Sequence, residues 1–290
     1  MTVTAPPRAF LRPANLDDAL AARAEHPDAV AIAGGTDVMV EVNFGARRPP
    51  ALLDLTRVPE LREWGVDGKV VRLGAGVTYT RLVDEAARRL PGLATAARTV
   101  GSPQIRNRGT VGGNLGSASP AGDCHPPLLA SGATVEARSV RGTRCIPVAE
   151  FFAGPQRHVL AADELVTAVL VDAAPGPQQF AKVGTRNAMV IAVCAFAVAL
   201  DPVRRRVGTG LGSAGPTPLT APDAERLAAE LPWDTRAPLP GGLARRFGER
   251  VAAAARPIDD LRGTAAYRRH ALAVLARRTL GWAWEEHVRA

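Results

Sequence analysis

Residues Gly101 to Asp123 read GSPQIRNRGTVGGNLGSASPAGD. The stretch holds six glycines, at 101, 109, 112, 113, 116 and 122. Each glycine loses more backbone freedom on ordering than any other residue, so a fixed conformation here is costly. A long segment without regular structure inside a compact chain is either functional or disordered. Disorder fits poorly, because Ile105, Val111 and Leu115 punctuate the stretch and apolar segments flank it. The expectation is an ordered, functional loop whose glycines let backbone approach a ligand.

Working outward toward the amino terminus, a second glycine turn appears at Ala33-Gly34-Gly35-Thr36-Asp37. It follows an apolar strand, Ala29 to Ala33, and precedes a helix expected from about Val38. Backbone amides at such a turn can face an anion and Thr36 adds a hydroxyl, so the turn has the dimensions of a phosphate cradle. Alone it reads equally well as a structural turn. It is neither GxGxxG nor GxxxxGK[ST]. Two cradles in one domain suggest a ligand with two phosphates, held by amides and small hydroxyls. Asp123 closes the second loop, where it either accepts from ribose or ribityl hydroxyls or caps a turn.

The surrounding pattern is α+β. A helix over Asn15 to Glu25, capped by Asn15, presents Leu16, Ala19 and Leu20. A strand at Ala51 to Leu55 completes a small βαβ-like unit. Short strands follow at Val70 to Gly76, Ala133 to Ala137 and Leu165 to Val171, with a helix over Thr80 to Arg89. Ala173-Ala174-Pro175-Gly176-Pro177 marks a linker, giving a first domain over 1–174 and a second over 178–286. The second has strand runs at Phe180 to Val183 and Val190 to Leu200. Helices are expected over Ala221 to Glu230 and Ala265 to Leu280, the latter with Tyr267, Ala271, Val274 and Leu275 on its apolar face and its arginines off it.

Composition narrows the function. The chain has 290 residues, 47% of them hydrophobic, and a formal charge of +8. Its basic residues are scattered in pairs among acids and only 4% of residues are aromatic, which argues against nucleic-acid binding. No apolar run reaches membrane-spanning length and the amino terminus lacks a leader pattern, so a cytoplasmic protein is expected. Cys124, Cys145 and Cys194 are widely separated, too few and too dispersed for a thiolate metal or iron–sulfur site. Only Lys69 and Lys182 are lysines among 36 basic residues. In an arginine-rich chain, a lysine is either a chance surface residue or a position needing a compact cation.

AGGTD at 33–37 and TVGGN at 110–114, followed by PIDDLRGTAAYRR at 257–269, resemble the flavin domain of the molybdenum hydroxylases, the family of carbon monoxide and xanthine dehydrogenases. PALLDLTRVPEL from Pro50, LGAGVT from Leu73 and EFFAG from Glu150 extend the likeness over nearly the whole chain. The resemblance implies an FAD-binding domain of the vanillyl-alcohol-oxidase (PCMH) type in two lobes, of about 1–57 and 58–174, and a smaller α+β flavoprotein carboxy-terminal domain. It implies non-covalent FAD, its pyrophosphate lying between the two loops. By residue matching, Ile32, Ala33, Gly34, Gly35, Thr36, Asp37 and Val38 contact it from the first loop, and Thr110, Val111, Gly112, Gly113 and Asn114 from the second. Val100, Asp123, Val166 and Lys182 line the path from adenosine to flavin. Lys182 falls near the isoalloxazine, where a cation raises the potential of the ring. Cys124-His125-Pro126 departs from the aliphatic residues more usual in the family.

The implied role is electron transfer, in which a molybdenum-cofactor large subunit and a 2Fe–2S small subunit complete a heterotrimer or its dimer and FAD passes electrons to an external acceptor. No catalytic residue and no metal ligand is required of this chain. The alternative is a free-standing FAD-dependent oxidoreductase acting on a small organic substrate, since fold does not fix function.

Overall fold

The computed structural model describes residues 9–235 and 237–290. The amino-terminal elements are β1 (Ala9–Leu11), α1 (Leu16–Glu25), β2 (Val30–Ile32), α2 (Val38–Asn43) and β3 (Ala51–Asp54). They form a parallel sheet in the order β1-β3-β2. The Asn15 side chain accepts from the Asp18 amide, capping α1, and Leu16, Ala19 and Leu20 are buried with Leu53 and Leu61. Periodicity and cap at that helix act together as expected.

Next come β4 (Trp64–Asp67), β5 (Val70–Gly74), α3 (Tyr79–Glu85), α4 (Pro91–Arg98), α5 (Pro103–Arg106), α6 (Val111–Ser117) and α7 (His125–Ala130). They lead into β6 (Thr134–Ser139), β7 (Gly142–Pro147), α8 (Val148–Phe151), β8 (Phe152–Gly154), β9 (Arg157–His158) and β10 (Leu165–Asp172). An antiparallel sheet in the order β4-β5-β10-β6-β7 carries this part. Its buried residues, Val71, Leu73, Val135 and Val169 among them, pack on Leu82, Leu93, Val111 and Leu115 of the helices.

The last part comprises β11 (Gln178–Val183), β12 (Cys194–Asp201), β13 (Arg206–Gly212), α9 (Pro222–Glu225), α10 (Gly241–Ala254) and α11 (Ala265–Arg289). Its antiparallel sheet, β11-β12-β13, stacks Phe196, Val198 and Leu211 against Phe247, Leu272, Leu280 and Trp284. The buried face of α11 is the expected one in part: Ala271 is buried and Leu275 packs against the core, but Tyr267 is 49% exposed, whereas Arg268 is 4% exposed. The Arg268 guanidinium donates to the carbonyls of Val193 and Ser213 and to Asp260, so its charge is buried because it is paired.

The two halves meet over small residues. A β-carbon built on Gly208 or Gly210 of β13 would lie 2.0 or 1.9 Å from the carbonyl oxygens of Ala130 and Pro126. No side chain fits in that space, and α7 therefore lies directly on the strand backbone. Ala96, Ala130, Ala195 and Ala197 share a buried cluster across the same seam. Gln178 accepts from the Gly92 amide and donates to Ser131.

Candidate functional site

The glycine-rich stretch contains two short helices, α5 and α6, where the sequence suggests irregular loop. Glycine lowers helix propensity, but the caps outweigh it. Ser102 accepts from the Ile105 amide ahead of Pro103, and Thr110 accepts from the Gly113 amide. These Ser-Pro and Thr-capped starts are the signals that reveal the helices in the sequence.

The structure brings the two loops into contact. A β-carbon on Gly34 would sit 2.0 Å from the Arg108 carbonyl oxygen and 2.9 Å from the Gly109 nitrogen. Gly35 adopts φ +76°, the left-handed conformation that favours glycine. Across the junction, partial burial and neighbouring Glu41 raise the Asp37 pKa, and the nearby Ser117 hydroxyl pulls it back.

The loops contribute differently. Among the described residues no acceptor takes the amides of Gly34, Gly35, Thr36 and Asp37, which leaves four successive donors for an anionic oxygen. In the second loop four of the five amides from Thr110 to Asn114 are committed: Val111 donates to Val77, Gly112 to Ala75, Gly113 to the Thr110 hydroxyl and Asn114 to the Thr110 carbonyl, while the Thr110 amide has no acceptor among the described residues. This corrects the expectation of two equivalent amide cradles. The second loop supplies space instead. A β-carbon on Gly113 meets only the Thr110 hydroxyl, at 3.0 Å, and one on Gly116 meets nothing within 4 Å. Gly112 does not face that space; its β-carbon would lie 2.4 Å from that of Ala75.

Asp123, Lys182 and Val100 form a second group at the domain seam. The Lys182 ammonium donates to Asp123 at 2.6 Å, to the Thr99 carbonyl at 3.0 Å and to the Val190 carbonyl at 3.2 Å. All three of its donors are used, with both side chains about nine-tenths buried. Burial pushes the Asp123 carboxyl up to about 6 against the pull of Lys182. Lys182 is thus half of an ion pair that clasps the first domain to the second, and not a free cation. One Asp123 oxygen, Oδ1, remains enclosed without a partner, as does Asn114 Oδ1. Val100 packs on the larger core cluster of the first domain, and Val166 lies between that cluster and the smaller one. Ile32 and Val38 are half-buried at the ends of the first loop.

His125 is fully enclosed, with its pKa lowered to about 4 by burial. Its Nε2 lies 3.0 Å from the Asn114 carbonyl, and its ring packs on Phe152 at 4.7 Å. Gly122 is required beneath it, since a β-carbon there would come within 2.3 Å of the ring. Burial also raises the Cys124 thiol far above its ordinary range. The unusual Cys-His pair is accordingly packing and hydrogen bonding behind the second loop.

Four free amides, a space kept open by glycines and two enclosed acceptor oxygens, one of them at the domain seam, define a two-domain protein built to hold a phosphate-bearing, hydroxyl-rich ligand. Residues 5–173 match the FAD binding domain in molybdopterin dehydrogenase, and residues 179–283 match the CO dehydrogenase flavoprotein C-terminal domain. The chain belongs to this family of FAD-binding proteins of the molybdenum hydroxylases. It is 34% identical over 280 residues to the nicotine 6-hydroxylase medium subunit of Paenarthrobacter nicotinovorans, covering 93% of this chain and 95% of the relative. It is 31% identical over 276 residues to the carbon monoxide dehydrogenase medium chain of Hydrogenophaga pseudoflava, covering 89% and 90%. The solved carbon monoxide dehydrogenase of Hydrogenophaga pseudoflava superposes with a TM-score of 0.88 at 27% identity, over 97% of this chain and 99% of that one.

FAD fits the residues present: the Gly34–Asp37 amides suit pyrophosphate oxygens, and Asn114 Oδ1 and Asp123 Oδ1 suit hydroxyl donors. Among the described residues no helix is long and apolar enough to cross a membrane, and no group of three or more His, Cys, Asp or Glu could hold a metal ion.

Proposed function

We propose that this chain is the FAD-carrying electron-transfer subunit of a molybdenum-containing hydroxylase, working in a heterotrimer or its dimer with a molybdenum-cofactor subunit and a 2Fe–2S subunit. The observation that carries the site is the unpaired run of amides from Gly34 to Asp37, laid against the Arg108–Gly109 peptide. Bound FAD would supply a two-electron carrier that also exchanges electrons singly with iron–sulfur centres. The residues of the chain do the holding. Gly34, Gly35, Thr36 and Asp37 orient the pyrophosphate through their amides, with Ile32, Ala33 and Val38 shaping the turn. Gly113 leaves room, Thr110 fixes the Gly113 amide, and Val111 and Gly112 pin the second loop to Val77 and Ala75. Asn114 and Asp123 accept hydroxyl hydrogens, while Val100 and Val166 exclude water. Lys182 fixes Asp123 and the second domain beside it. The reading covers a first domain over 1–174 and a second over 178–286, with FAD held non-covalently.

Native mass spectrometry of the purified assembly, combined with metal and flavin analysis, tests this role. Two further subunits carrying molybdenum and iron–sulfur with one FAD per copy of this chain are expected. A flavin-bearing chain that purifies alone and oxidises a small organic substrate directly would overturn it.

A further inference from the structure

The residue at the centre of the site is one the motifs leave out. Tyr79 is the first residue of α3 and is 4% exposed. Its backbone is tied to the second loop, through its amide to the Gly109 carbonyl and through a bridge between Thr78 and Thr110. Its ring lies under Gly109, where a β-carbon would come within 2.7 Å of Cε2, beside the hydroxyl-bearing carbon. Gly34 of the first loop packs on the Arg108–Gly109 peptide from the other side, and Cys124, Asp37 and Asp123 all act on the phenol electrostatically. The hydroxyl bonds to no group among the described residues. It is not one of the fully enclosed unpartnered atoms, so it keeps some accessible surface. A phenol oxygen in this setting wants an acceptor.

We propose that the Tyr79 hydroxyl donates a hydrogen bond to an oxygen of the FAD pyrophosphate, making Tyr79 a cofactor-binding residue. Burial, with Cys124, Asp37 and Asp123 adding to it, raises the pKa of the phenol well above its ordinary value and keeps the proton on the oxygen, as a donor requires. Tyr79 is then the link between the loops, since its amide holds Gly109 and its hydroxyl reaches the ligand that the Gly34–Asp37 amides hold from the other side. This inference rests on the FAD reading above.

The test uses the full chain in the assembly in which it purifies, stripped of flavin and titrated with FAD. Tyr79→Phe keeps the ring against Gly109 and removes only the oxygen. A hydrogen bond to a charged oxygen corresponds to a rise in Kd of about ten-fold, with the melting temperature of the flavin-free protein unchanged. A Kd within two-fold of the unsubstituted protein would overturn the proposal. So would an affinity loss matched by an equal loss of stability in the flavin-free protein, because the hydroxyl would then be supporting the fold. Titration with riboflavin locates the bond: it lacks the pyrophosphate, so Tyr79→Phe should leave its affinity unchanged, and an equal loss there would contradict a phosphate contact. Failure of the unsubstituted protein to bind FAD would instead refute the cofactor assignment.

Discussion

Lys182→Met removes an ammonium that makes three hydrogen bonds at the domain seam. It leaves a buried carboxyl and two carbonyls without their donor. Removing one partner of a buried pair costs about 3–5 kcal/mol. Asp123 moderates this. Its pKa already lies at about 6 beside the lysine, and without the cation it rises further, so at pH 7.5 the carboxyl takes up a proton. A cost of about 3 kcal/mol is therefore expected at pH 7.5. At pH 5 the ion pair is already largely neutralised in the unsubstituted protein, and the cost falls. Urea unfolding followed by tryptophan fluorescence reads both values, with Trp64 reporting on the first domain and Trp233, Trp282 and Trp284 on the second. Proton uptake also answers the redox question. Exchanging Lys⁺ and Asp⁻ for Met and a neutral carboxyl leaves net charge unchanged, so the flavin midpoint potential should move by less than the roughly 20–40 mV expected for loss of an unpaired cation. A stability loss under about 1 kcal/mol at pH 7.5, or an equal loss at both pH values, would refute the clasp.

Two further outcomes follow from the same geometry. Gly113→Val should release flavin while the fold persists, because its side chain enters open space, whereas Gly112→Val should destabilise the fold by about 1–3 kcal/mol through collision with Ala75; thermal unfolding with flavin quantification separates them, and equal effects would contradict the assignment. His125 has a folded pKa of about 4 against an ordinary value of 6.5, so its contribution is fully present above pH 6.5 and is lost as pH falls through 4; His125→Phe should flatten that part of the acid limb of the stability curve, and an unchanged slope would show that the ring is already charged.

Much of the first sheet was legible because its signals are local and agree. Asn15 caps a helix whose apolar positions recur at the right spacing, and Val30 to Ile32 ends at paired glycines. The second loop misled because Gly112, Gly113 and Gly116 suggest irregular chain, yet Thr110 and tertiary contacts to Val77 and Ala75 hold a helix there. The glycine-rich β13 escaped notice for a related reason: Gly208 and Gly210 serve the approach of α7, a long-range need with no local pattern. Arg268 shows the same limit, since an arginine inside a helix reads as solvent-facing until Val193, Ser213 and Asp260 converge on it. The isolated Lys182 was a usable hint, but two of its three partners, Asp123 and Thr99, lie 59 and 83 residues away in the chain. Tyr79 carried no motif at all, and only the fold places its ring beneath Gly109.

The central claim is that the Gly34–Asp37 amides and the Gly113 space hold a dinucleotide flavin. Titrating the flavin-stripped protein with FAD and separately with FMN, following flavin fluorescence, tests it most directly. One FAD bound per chain, with FMN bound at least about a hundred-fold more weakly because it lacks the pyrophosphate and adenosine contacts, is the predicted result; equal affinity for the two flavins, or no binding of FAD, would contradict it.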